Sequence, residues 1–113
     1  MVFMDVLKKN MADKLAQELI FGELGESTVE PTVGDTSLGS PISGTSKQLN
    51  VNVVNGVVSW KYVRGINDPA GDLAEFGIFN GGGQLVLHVG HTVIPVTTGN
   101  NIQVVYSGRA YFV

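Results

Sequence analysis

Cysteine is missing altogether from these 113 residues, and charge is scarce. The first absence excludes disulfides, thiol nucleophiles and thiolate metal ligands. The second leaves 15% Asp, Glu, Lys and Arg, against roughly 25% in an average soluble domain. The surface must therefore be built from Gly, Ser, Thr, Asn and Gln, or be covered by other subunits. Only seven residues are basic, scattered apart from Lys8-Lys9, and the formal net charge is −3. No basic patch exists to displace counterions from a phosphate backbone, which argues against nucleic acid as a partner. No apolar run is long enough to span a membrane. Asp5, Lys8 and Lys9 interrupt the start, so it does not read as a secretory signal. These absences imply a chain made in cytoplasm, or built into something assembled there.

What is present is hydrophobic (43%) and rich in glycine, with fifteen of them. The length suits a single domain, residues 1–113, with one core. Residues 3–21 carry a helical period: Leu7, Met11, Leu15 and Leu19 recur by four, with Phe3, Met4, Ala12, Ala16 and Ile20 beside them. Gly22 is the expected left-handed cap. The helix either covers the β-core or docks on a neighbouring subunit. Residues 22–47 then run through Gly, Ser, Thr and Pro, too long for an ordinary connection. They read as an ordered arm laid over the surface, pinned by Val29, Val33, Leu38 and Ile42, with room for one short strand.

Residues 48–113 form the expected β-core. Leu49, Val51 and Val53 alternate with Asn50 and Asn52, and Asn55-Gly56 is a strong two-residue hairpin signal before the strand Val57 to Arg64. On that strand Val58, Trp60 and Tyr62 share a face. After a loop at 65–72 comes the stretch around which the chain is organised, LAEFGIFNGGGQLVLHV (73–89). It reads as two strands about a glycine turn, apolar at both parities and so covered on both faces. Leu73, Gly77 and Phe79 are expected on one face with Glu75. A further strand near Thr92–Val96 contains Pro95, which suggests an edge or a strand end. A turn at Thr98–Asn101 and a last strand, Ile102 to Phe112, bulged at Gly108, complete the pattern. Together these predict a mainly β fold: an antiparallel β-sandwich of about six to eight strands, with one N-terminal α-helix and a long ordered arm.

Candidates for chemistry are few. His88 and His91 are three apart, and on a strand that spacing sends the rings to opposite faces. Gly81-Gly82-Gly83 lacks the lysine and following helix of a phosphate loop. Asn67, Asp68 and Asp72 do not have calcium-loop spacing, and no G-x-S-x-G elbow is present. No catalytic, metal or cofactor site is expected, and the chain reads as a non-enzyme. Glu75 alone stands out, since a carboxylate in an apolar strand needs partners. It is expected either to cap backbone N–H groups of the arm or to pair with Arg64 or Arg109.

Two short motifs carry a resemblance. Pro31 precedes D-T-x-L (Asp35, Thr36, Leu38), and E-x-G-I-F-N (Glu75, Gly77, Ile78, Phe79, Asn80) precedes a glycine turn and closing strands. In this order, behind an amphipathic helix, they resemble a family of small β-rich virion proteins of tailed bacteriophages and related viruses. Such proteins occur alone or as modules of tail fibres, appendages and capsid decorations. The likeness covers nearly the whole chain, with one departure. Relatives often carry an acidic residue and an arginine after D-T-x-L, where this chain has Ser40-Pro41 and no arginine before Arg64. The arm-to-core salt bridge of such relatives is therefore not expected in that form. The resemblance implies a virion building block located in the virion, assembled in host cytoplasm as a symmetric homo-oligomer. A trimer is favoured, with capsid or tail proteins as further partners. The competing expectation is a carbohydrate- or receptor-binding module whose stacking residues are Trp60, Tyr62, Tyr106 and Tyr111.

Overall fold

In the computed structural model, which describes residues 2, 4–97 and 102–112, one helix precedes seven strands. They are α1 (Asp5–Glu18), β1 (Phe21–Gly25), β2 (Lys47–Gln48), β3 (Asn50–Val54), β4 (Val57–Arg64), β5 (Gly71–Phe79), β6 (Leu85–Val96) and β7 (Val104–Tyr111). The strands form two antiparallel sheets, ordered β2-β1-β5-β6 and β3-β4-β7. This is the expected mainly β sandwich with an N-terminal helix.

Aromatic rings fill the space between the sheets. Phe76 of β5 stacks on Trp60 of β4 at 5.6 Å and on Tyr106 of β7 at 4.6 Å, with Tyr62 tilted against it at 5.2 Å. Val58, Leu73, Ile78, Leu24 and Val96 close around them. Burial drives the Tyr62 and Tyr106 hydroxyls upward in pKa, that of Tyr106 to about 12. The Tyr62 hydroxyl answers its desolvation by donating to the Thr45 carbonyl.

The Asn55-Gly56 hairpin forms as its sequence demands. Val54 faces Val57 in register, and both turn residues have positive φ, +51° and +77°. A two-residue turn of this hand matches the twist of the flanking strands.

Several expected boundaries shift. The helix covers Asp5–Glu18 rather than 3–21, because Ile20 and Phe21 are taken by the sheet: Ile20 N–H donates to Phe79 O, and β1 begins at Phe21. Gly22 is therefore no helix cap but a strand residue between β2 and β5. The helix packs against β3, β4 and β7 with Ala12 fully buried, which leaves Leu7 and Met11 exposed. The arm is shorter than 22–47, since its two ends are β1 and β2. Leu49 breaks the strand expected from 48 onward: its N–H donates to Ile20 O, and there the chain crosses from one sheet to the other.

Of the central hairpin, only β5 is covered on both faces. Leu73 to Ile78 are all buried, but β6 is the edge of its sheet and leaves Val86, Val89 and Val93 exposed. Leu73 joins Phe76 and Ile78 in the core rather than facing the same way as Glu75. A register shift between Leu73 and Glu75 breaks the alternation. The strands expected on either side of residue 90 are one strand, β6, with Pro95 near its end on the sheet edge. No bulge falls at Gly108. The β4–β7 register is continuous from Val57/Tyr111 to Arg64/Val104, and the glycine instead makes room for an indole. A β-carbon there would stand 2.5 Å from Trp60 Cζ2. The last strand spans Val104–Tyr111, and the expected turn at Thr98–Asn101 lies outside the described residues.

Gly56→Val places a β-branched residue at positive φ and should cost about 1–3 kcal/mol. Thermal unfolding checks this; an unchanged midpoint would contradict the turn.

Candidate functional site

The densest polar cluster in the molecule lies where the arm crosses β5 and β6. Glu75 is 1% exposed, in the middle of the central strand. Its Oε2 accepts the N–H groups of Ser27 (3.0 Å) and Ser40 (2.8 Å), and its Oε1 accepts that of Gly39 (2.9 Å). Two separate stretches of the arm, at Ser27 and at Gly39-Ser40, thus hang on one carboxylate. His88, opposite Gly77 on β6, places Nε2 2.8 Å from the same Oε1 and Nδ1 2.8 Å from Asp35 Oδ2. Both ring nitrogens thus face carboxylate oxygens, and the imidazole bridges Glu75 to Asp35. Asp35 in turn accepts from Thr32 N–H (2.8 Å) and Thr32 Oγ1 (2.9 Å), closing the turn at the arm's tip.

Electrostatics favour the ionised acids. Burial pushes the Glu75 carboxyl up, but the N–H donors of Gly39 and Ser40, His88 and Ser27 outweigh it and hold the group below its ordinary value. Asp35 is lowered chiefly by the Thr32 N–H, then by the Thr32 hydroxyl and His88. Glu23, across from Gly77 on β1, moves the other way, raised by burial and by the charge of Glu75.

The two sequence motifs meet here. Leu38 is buried over Gly77, where a β-carbon would lie 2.6 Å from Leu38 Cδ2. Ile78 points into the core, and Phe79 ends β5 with its carbonyl bonded to Ile20. Asn80 builds the glycine turn: Oδ1 accepts Gly82 and Gln84 N–H, and Nδ2 donates to Glu18 of the helix and to Gln84. Thr36 is exposed and takes no part in the cluster.

Of the expected Glu75 partners, the arm N–H groups are the true ones. Arg64 is buried but donates to the carbonyls of Pro69, Asp68 and Ile102. Arg109 stands on the outer face of β7, exposed. The arm is tied to the core from side chain to side chain by Asp35 and His88 rather than by an arginine. His88 and His91 do point to opposite faces, His91 reaching the Tyr106 hydroxyl at 2.8 Å. Leu38 and Ile42 pin the arm as expected, whereas Val29 and Val33 stand out at 76% and 111% exposure. Thr45 was not foreseen: buried, it donates to Ile42 O (2.7 Å) and accepts Leu24 N–H (3.0 Å). A threonine in a Gly/Ser/Thr loop gives no local sign of such a role. Asp68 is engaged by the Gly65 N–H and Lys47 Nζ.

Chemically the cluster is closed. Both Glu75 oxygens and both His88 nitrogens are occupied by protein groups, so the arrangement fastens rather than reacts. No family model matches this chain, and no curated protein does either.

Glu75→Gln turns an NH₂ toward an arm N–H or His88 whichever way the amide lies, and should cost about 2–3 kcal/mol in thermal unfolding. The difference should also depend on pH. Glu75 and Asp35 are lowered in the folded state, so their contribution is complete above the ordinary carboxylate range, about 4. It is lost as pH falls through the lowered values. Unfolding midpoints of the parent and Glu75→Gln should therefore converge in acid. A gap that stays constant to low pH would contradict the assignment.

Proposed function

We propose that this chain is a structural building block of a tailed-virus virion, a capsid decoration or a tail or appendage component. It acts as part of a symmetric homo-oligomer, a trimer by preference. The observation that carries the reading is apolar surface left uncovered on a chain with only 15% charged residues. Met4, Val6, Leu7 and Met11 are exposed on and beside the helix, Val29 and Val33 on the arm, and Val86, Val89 and Val93 on the β6 edge. The helix residues form one stripe, Met4, Leu7 and Met11 being three and four apart, and grouped apolar surface of this kind marks contacts with other chains. The edge strands β6, β3 and β7 need cover for the same reason.

The closed cluster supports the same reading. Its D-T-x-L and E-x-G-I-F-N residues are spent on fastening an arm to a sheet, the work of a rigid particle component. The competing carbohydrate- or receptor-binding reading keeps only one of its four expected stacking residues free. Trp60, Tyr62 and Tyr106 pack against the core, and only Tyr111 is largely exposed.

Light scattering should give the mass of a closed oligomer, and the double variant Leu7→Glu/Met11→Glu should lower it while the β-core still unfolds cooperatively. A soluble monomer at high concentration, with no affinity for any shell or tail component, would refute the proposal.

A further inference from the structure

We infer that the outer face of the three-stranded sheet is a binding site for an acidic sugar, one bearing a carboxylate or sulfate group. Alternation along β3, β4 and β7 sends Asn50, Asn52, Ser59, Lys61, Ser107 and Arg109 outward. The register sets them in two rows, Asn52-Ser59-Arg109 and Asn50-Lys61-Ser107. Together they line an open trough of about 690 Å³. The two serines are short and lie low between the longer lysine, arginine and asparagine side chains, which accounts for the hollow. Tyr111, two residues beyond Arg109 and on the same face, is 63% exposed.

Charge selects the ligand. Ordinary solvated surfaces intersperse both signs, and cross-strand neighbours commonly pair them. Here the chain carries ten acidic residues, yet none lies in β3, β4 or β7. Among the described residues, neither Lys61 nor Arg109 has a carboxylate partner. A protein of net charge −3 thus presents one face whose only charges are positive. The arginine fork suits a planar carboxylate or a sulfate. The two amides and two hydroxyls offer donors and acceptors to sugar hydroxyls, and the exposed tyrosine gives an apolar ring for a sugar face. Two cations are too few for a phosphodiester strand, which needs a longer row of contacts. The proposal does not rest on the virion reading: it uses the outer face of the three-stranded sheet, whereas that reading draws on the helix, the arm, β6 and the β3 and β7 edges.

The test is an NMR titration of the full chain with glucuronic-acid disaccharide, 3′-sialyllactose, a sulfated disaccharide, neutral lactose, inorganic sulfate and an oligoglutamate peptide. Each is taken to about 20 mM, where even a weak single-site ligand saturates. At least one acidic sugar should shift the amides of Asn50, Asn52, Ser59 and Ser107, with lactose and sulfate weaker. Lys61→Ala and Arg109→Ala should each weaken it about tenfold, with Tyr111→Ala weakening it less and all three variants folded. Three results would overturn the inference. One is no response to any acidic sugar. Another is sulfate or oligoglutamate matching the best sugar. The third is a change of oligomer mass on Lys61→Ala or Arg109→Ala without sugar binding, which would make the face a subunit contact.

Discussion

A single buried carboxylate, that of Glu75, gathers the loop between Ser27 and Ser40 onto the sheet, above a base closed by Glu26 N–H to Ser40 O and Ile42 N–H to Leu24 O. β5 lies in the middle of its sheet and must be covered on both sides. One side receives the aromatic layer of the opposing sheet. The other receives residues 26–46, a segment with few apolar side chains and many backbone groups that need partners. Hydrophobic burial alone cannot fasten such a segment; Leu38 and Ile42 are its main buried apolar contacts. Besides the bonds of Glu26, Ile42 and Thr45 to their neighbours, the carboxylate accepts three backbone N–H groups from two separate stretches of the arm. Burial without those donors would drive its proton back on, so the arm and the charge sustain each other. His88 then carries the linkage outward to Asp35 and the arm's tip.

Much of this was legible before any coordinates. Asn55-Gly56 announces its turn because few residue pairs accept two positive φ angles. Val57–Arg64 declares its strand by alternation, and Glu75 marks itself by being charged where its neighbours are not. The hidden parts have physical reasons as well. β1, Phe-Gly-Glu-Leu-Gly, has two glycines and no β-branched residue, so its place beside β5 comes from pairing rather than propensity. The helical stripe of leucines extends into it and masks its start. The register shift at Leu73/Glu75 depends on how two strands fit, which one strand cannot reveal. His88 looks like any strand histidine until the fold sets Asp35, fifty-three residues earlier, beside it.

The distribution of surface types follows from the same plan. On the arm, Val29 and Val33 stand exposed. Because β6 is an edge, its valines are bare. These surfaces are suited to contact with other chains. The three-stranded sheet is different: the middle of its outer face is polar and hollowed and carries Lys61 and Arg109, between Val54 towards one end and Val105 towards the other. A building block held by one set of surfaces would leave the other free for a ligand.

The account rests on the arm being held by Glu75 and not merely lying near it. Amide hydrogen exchange at Ser27, Gly39 and Ser40, compared between the parent chain and Glu75→Gln at neutral pH, tests this most directly. The three amides should be protected in the parent and lose protection together in the variant, while amides of β4 and β5 around Tyr62 and Phe76 stay protected. Equal protection of Ser27, Gly39 and Ser40 in both proteins would contradict it.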